Sequence, residues 1–287
     1  QVIHEKILAY RDTHVTHFQW CISMGGRVNY PSRVTEILGA GVKEYPRRGD
    51  KLASELMQKF AREGTDVLTV AANACHEAGI RCYASIRMNF DFTPGYMGEG
   101  FIRTFNSTFW WENPHLRIRD SRGEDLGKLS YAFPEVQEFK LAIVREVLER
   151  DIDGLDLDFL RNPDYLGFER PMVDGFKAKY GADPRTLDPK DARWLDYKGE
   201  VMTAYVRKVR HAVNEAAKKK GRRLFICTRV DHKKYREWGL DISTWMREGL
   251  IDQLVVAQHS LGGYTFDLTP FVNMARGTGC QVFFGEE

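Results

Sequence analysis

The run DIDGLDLDFLRNP, Asp151–Pro163, places four carboxylates (Asp151, Asp153, Asp156 and Asp158) in a stretch that otherwise has the character of a buried strand. Side chains alternate along a strand. Leu155, Leu157 and Phe159 therefore share one face, and Gly154, Asp156 and Asp158 share the other. With the apolar face packed on helices, Asp156 and Asp158 point inward, their Cα atoms about 6–7 Å apart. Ionised carboxylates in an interior are costly unless they are paired, hydrogen-bonded or engaged in chemistry. Two of them at successive inward positions repel, which raises the proton affinity of one and suits the pair to acid–base work.

The elements around this run must position it. Strand-like stretches at His14–Ser23, Ile80–Asn89, Asp153–Leu160, Arg223–Val230, Asp252–Ser260 and Cys280–Glu287 alternate with amphipathic helical stretches. One of these helices starts at Pro134; another runs from about Pro189 to Lys219, with Asp188 as its expected cap. Such alternation predicts an α/β fold with a parallel sheet and helical crossovers. No Gly-rich phosphate fingerprint follows any strand, which counts against an open doubly wound sheet and favours a (β/α)8 barrel. About six of the eight units of such a barrel are visible, and the chain opens on a helix and stops on a strand. The expectation is one catalytic domain over residues 1–287, the middle of a longer barrel whose first and last strands lie outside the chain.

The same alternation sends Arg87 and Asn89 inward at the end of one strand, and Arg229 and Asp231 at the end of another. Gln258 and His259 end a further strand, and Glu286 and Glu287 the last. Barrel enzymes carry their chemistry at the C-terminal ends of the strands, so these residues describe a polar pocket suited to a hydroxyl-rich ligand. The segment from Asn89 to Tyr131 is far longer than an ordinary connection and rich in aromatics. Its Trp110 and Trp111 either stack on sugar rings or pin the loop to the barrel.

Composition narrows the alternatives. With 42 basic and 40 acidic residues the net charge is +2, so no basic excess points to nucleic acid. The run Lys218–Arg223 reads as a solvated helix end. No stretch approaches the ~20 apolar residues of a membrane span. The five cysteines lack metal-ligand or redox spacing and read as buried thiols; no metal or other cofactor is expected.

PEVQEFKLAIVREVLERDIDGLDLDFLRNP resembles the strand-four region of the glycosyl hydrolase-like 10 family, through Asp153, Gly154, Leu155, Leu157, Asp158, Phe159, Arg161 and Pro163. CYASIRMNF and CISMGGRVNYPS are similar to the preceding strand and the strand-two exit of bacterial relatives. The resemblance covers most of the chain. It implies a TIM barrel, glycoside-hydrolase-like activity on a carbohydrate, no metal, and a secreted or periplasmic setting. Many relatives carry His or Glu where this chain has Asp156. Glycoside hydrolysis needs one carboxyl to protonate the leaving oxygen and another to attack or to activate water. Asp158 is the first expected member; Asp156, Asp231 and Glu286 (or Glu287) compete for the second place, with Asp156 the simplest choice because its parity is secure. Arg87 and Arg161 either keep a carboxylate ionised or bind acidic groups on a sugar. Two rivals stand beside hydrolysis: a carbohydrate-binding barrel without catalysis, and a metal-dependent enzyme using Asp156, Asp158 and His259.

Overall fold

The computed structural model describes residues 2–24, 26–161, 163–258 and 265–285. In chain order the strands are β1 (His17–Met24), β2 (Arg27–Val28), β3 (Arg81–Arg87), β4 (Arg117–Arg119), β5 (Asp125–Leu129), β6 (Gly154–Asp158), β7 (Phe225–Asp231), β8 (Gln253–Ala257) and β9 (Gln281–Phe284). The α-helices are α1 (Val2–Leu8), α2 (Arg48–Arg62), α3 (Val67–Glu77), α4 (Glu99–Phe105), α5 (Thr108–Glu112), α6 (Pro134–Leu148), α7 (Arg170–Tyr180), α8 (Ala192–Lys220), α9 (Ile242–Arg247) and α10 (Thr269–Ala275). The main sheet has the order β2-β1-β3-β6-β7-β8-β9. All its neighbours are parallel except the short β2, which runs antiparallel to β1.

The sheet is strongly curved. β1 and β8 are four strands apart in sheet order, which in a flat sheet would separate them by about 19 Å. Yet His17 Nε2 and Gln253 Nε2 lie 3.3 Å apart, and Gln19 Nε2 of β1 donates to Cys227 Sγ of β7 at 3.3 Å. Inner-face side chains thus meet across an interior, as in a barrel. Among the described residues no ladder joins β9 to β1.

The outer face of the sheet carries the main core. Leu155, Leu157 and Phe159 are fully buried with Val144 and Val147 of α6 and Val206 and Val209 of α8. Cys82, Ala84, Ile86 and Met88 of the β3 segment join the same cluster, as the alternation predicts. Helix ends follow local chemistry. Asp66 Oδ1 accepts from Thr69 N at 2.9 Å to open α3, and α8 closes at Gly221, whose φ of +63° favours glycine. α8 opens on Asp191 rather than on the expected Asp188. Asp191 Oδ1 accepts from Arg193 N, whereas Asp188 Oδ1 is used one turn earlier by Lys190 N. α7 lies between β6 and α8; Met172, Val173 and Phe176 form its buried stripe. Among the described residues no helix is long and apolar enough to cross a membrane.

The long segment after β3 is folded, not loose. It holds α4, α5 and the β4–β5 hairpin, and two small cores shared with neighbouring segments: Ile102, Trp110, Leu116 and Leu129 with Val136 of α6 in one, Phe101 and Phe105 with Leu38 in the other.

The four aspartates split between the two ends of β6. Below the strand, Asp153 pairs with Arg222 (2.7 Å) and His76 (2.9 Å), and Asp151 pairs with Arg222 (2.6 Å). The basic run at the end of α8 is therefore partly an ion-pair partner for this strand. Gly154 begins the inward row. A Cβ placed there would lie 2.4 Å from the Phe225 carbonyl oxygen, so only glycine lets β6 and β7 approach as they do. Gly154→Ala is expected to lower stability by about 1–3 kcal/mol, read as a lower urea midpoint at unchanged slope. An unmoved midpoint would mean that the two strands are not held at this spacing.

Candidate active site

The interior is layered. At its lower end His17 meets Tyr83 edge-on (centroids 5.4 Å apart) and Tyr83 stacks on Phe225 (6.4 Å), with Gln253 beside His17. Above this plug lies Asp156, fully buried, between Ser85 of β3 and Cys227 of β7 in the ladder register. Ser85 Oγ donates to its Oδ2 at 2.7 Å, and among the described residues Oδ1 has no hydrogen-bond partner. Burial pushes the Asp156 carboxyl up to about 6; the Arg229 charge opposes this and the Asp158 charge adds to it. Gln19 ties the layer together, since its Oε1 accepts from Arg229 at 3.2 Å while its Nε2 donates to Cys227.

At the C-terminal ends of the strands, Arg87, Asp158 and Arg229 stand side by side on β3, β6 and β7. Asp158 is 3% exposed. Its Oδ1 accepts from the backbone N–H groups of Leu160 (3.1 Å) and Arg161 (3.3 Å), which tightens the turn leaving β6. No hydrogen bond reaches Oδ2 among the described residues. Asp231 ends β7 by the same device: Oδ1 accepts from Lys233 N and Lys234 N, both at 2.8 Å. Asp158 pairs with Arg229 in the register, so Asp231 lies one strand across and two residues higher, about 8 Å away between Cα atoms. The Arg87 guanidinium lies over the Phe90 ring at 4.4 Å.

Other expected site residues are used differently. Trp110 is completely buried; its Nε1 donates to Gly127 O at 2.8 Å, and Arg117 covers its ring at 3.5 Å. Trp111 packs edge-on against it and lies under Arg103. Trp110 thus pins the segment after β3 and offers no free face to a sugar, while Trp111 packs beside it half-buried. Asn89 is also fully buried, and its Nδ2 holds two loops by donating to Leu129 O (3.0 Å) and Asp164 O (2.7 Å). Gln258 is half-buried just beyond β8, and the Arg161 side chain is half-buried beyond β6. His259, Glu286 and Glu287 lie outside the described residues. Among the described residues no group of three or more His, Cys, Asp or Glu side chains is arranged to hold a metal ion.

Sequence reasoning passed over Cys227 and Phe90. Cys227 has the parity of Arg229 and Asp231, and that parity places it against Asp156. Phe90 carries the weaker signal of an aromatic three residues beyond an inward arginine.

A family model described as Glycosyl hydrolase-like 10 matches residues 27–263. No curated protein matches the chain. Among solved structures, alpha-L-fucosidase isoenzyme 2 from Paenibacillus thiaminolyticus is similar over 98% of this chain and 42% of its own, with TM-score 0.52 and 14% identity. A cycloisomaltooligosaccharide glucanotransferase from Paenibacillus sp. is similar over 99% of this chain and 35% of its own, with TM-score 0.51 and 11% identity. The chain spans less than half the length of either protein, and at these identities the likeness is one of fold. The curved parallel sheet, the inward carboxylates at its C-terminal end and the family match over most of the sequence agree: the chain belongs to the glycosyl hydrolase-like 10 family.

Proposed function

We propose that this chain is a glycoside hydrolase acting on an oligo- or polysaccharide, and that its curved sheet is part of a closed (β/α)8 barrel working as one catalytic unit. The observation that carries the reading is Asp158. It sits at the C-terminal end of β6 with one carboxylate oxygen anchored by two backbone N–H groups and the other without a hydrogen bond among the described residues. An oxygen held in place and left unpaired is what a group needs to reach a glycosidic bond or a water.

Asp231 is the favoured second carboxyl. It ends the adjacent strand and is anchored in the same way, and the carboxyl separation of the pair decides between retention at about 5–5.5 Å and inversion at about 6.5–9.5 Å. Glu286 is the competing candidate. Asp156 is fully enclosed, which favours a role beneath the reacting groups rather than at them. A non-catalytic carbohydrate-binding barrel is the second reading. It is favoured by the 3% exposure of Asp158, which is little surface for a reacting group.

Turnover separates the two. On a panel of aryl glycosides and polysaccharides, Asp158→Asn should lower kcat by about 10²–10⁴-fold, and Asp231→Asn should do the same while Glu286→Gln does not. Full activity in Asp158→Asn would remove that residue from the chemistry. A full loss in Glu286→Gln with Asp231→Asn unaffected would transfer the second role to Glu286.

Asp156 makes a separate prediction for stability. Its carboxyl is raised from an ordinary 3.8 to about 6 in the folded protein. The folded state therefore holds the proton more tightly than the unfolded chain. The stability linked to this group is intact below about pH 4 and is lost as pH rises through about 6. Asp156→Asn removes the pH-dependent loss, so the variant should gain on the wild type by about 2 kcal/mol between pH 4 and pH 7. Urea unfolding at several pH values measures this, and a pH-independent difference would contradict it.

A further inference from the structure

Several buried and half-buried arginines of this protein pair with carboxylates, and Arg27 is held by two backbone carbonyls. Arg222 holds Asp151 and Asp153, Arg210 holds Asp252 at 2.7 Å, Arg150 holds Asp66, and Arg117 holds Asp125 at 3.2 Å. Arg87 departs from the pattern. It stands next to Asp158 in the ladder register, yet among the described residues no carboxylate lies within 4.0 Å of its guanidinium and no acceptor takes its N–H groups. Its one described contact is the Phe90 ring.

That contact is built. Phe90 meets Phe92 edge-on at 4.9 Å, and Phe92 packs on Tyr96 (5.4 Å), Phe101 (4.7 Å) and Phe105 (5.5 Å). The aromatic cluster of the long segment after β3 therefore reaches the strand ends and braces one guanidinium there. A stacked guanidinium keeps its planar fork of donors, which matches carboxylate and sulfate oxygens. An ion pair with Asp158 would have quenched both groups. Stacking instead leaves a cation and a carboxylate oxygen side by side, each available to something else.

We infer that Arg87, braced by Phe90, is an anion subsite, and that the saccharide this chain takes carries a carboxylate or sulfate group. The inference rests on the carbohydrate reading above and names its substrate class. The charged substituent sits on the Phe90 side of Arg87, and the glycosidic bond lies over Asp158.

The test is binding, measured by calorimetry with the full chain carrying Asp158→Asn so that ligand is not consumed. The ligands are pairs that differ only in charge: oligogalacturonate and its methyl ester, aryl glucuronides and aryl glucosides of both anomers, and sulfated and desulfated oligosaccharides. The charged member of at least one pair should bind about 10- to 100-fold more tightly, and which pair responds separates carboxylate from sulfate. Adding Arg87→Gln should abolish the preference, while Arg87→Lys, which keeps the charge but not the fork, should retain part of it; thermal unfolding checks that each variant folds. Equal affinity within every pair, no binding of any charged member, or a preference that survives Arg87→Gln would overturn the inference. Wild-type turnover of a neutral glycan with no charge preference would overturn it and leave hydrolysis standing. A charge preference lost with Arg87→Gln, without turnover of any glycan by the wild type, would uphold the subsite and sink hydrolysis.

Discussion

Two carboxylates on the inner face of one parallel strand set the terms for everything around them. Placing Asp156 out of water costs more than any neutral side chain would, and the surroundings offset only part of it. Ser85 supplies one hydrogen bond and Arg229 a favourable charge, yet one oxygen stays unpartnered among the described residues and the proton is held more tightly than usual. A chain selected for stability alone would fill this layer with aliphatic side chains, as most barrel interiors do. Around Asp156 and Asp158 the inner face instead holds Gln19, Ser85, Cys227, Arg87 and Arg229.

The fold supplies what such an interior requires. Curvature brings β1 within hydrogen-bonding reach of β7 and β8, so that Gln19 and His17 find partners that a flat sheet would deny them. Gly154 keeps β6 close to β7. Asp151 and Asp153 lock the lower end of β6 to Arg222 and His76, and the paired turns at Asp158 and Asp231 aim the upper ends of two neighbouring strands. The long segment after β3 adds a wall whose aromatics face one another and Arg87, with Trp110 as its anchor.

The alternation within DGLDLDFL was legible because a strand has only two faces and the apolar one declares itself. The same rule placed Ser85, Arg87, Arg229 and Asp231 without any knowledge of the sheet. It did not reveal that β1 shifts register between Cys21 and Ser23, because nothing in HFQWCISM marks the irregularity. α7 carries Pro171 and Gly175, both poor residues for a helix interior, so its sequence gives a weak helical signal. Proline is at home in a first helical turn, and Gly175 is required by Tyr197, whose Oη would lie 1.9 Å from a Cβ there. Trp110 and Trp111 could not be assigned from sequence, because stacking on a sugar and packing on a leucine ask for the same side chain. Asp188 and Asp191 both suit a helix start, and only the three-dimensional path decides between them.

In the proposed reaction Asp158 offers a saccharide the carboxylate oxygen that has no hydrogen bond among the described residues. A crystal structure of the Asp158→Asn protein with a bound oligosaccharide tests it most directly. The expected result is a glycosidic oxygen within hydrogen-bond distance of the residue 158 side chain and a second carboxyl within about 5–10 Å of that oxygen. A sugar bound elsewhere on the molecule, or one at the strand ends with no second carboxyl in that range, would contradict it.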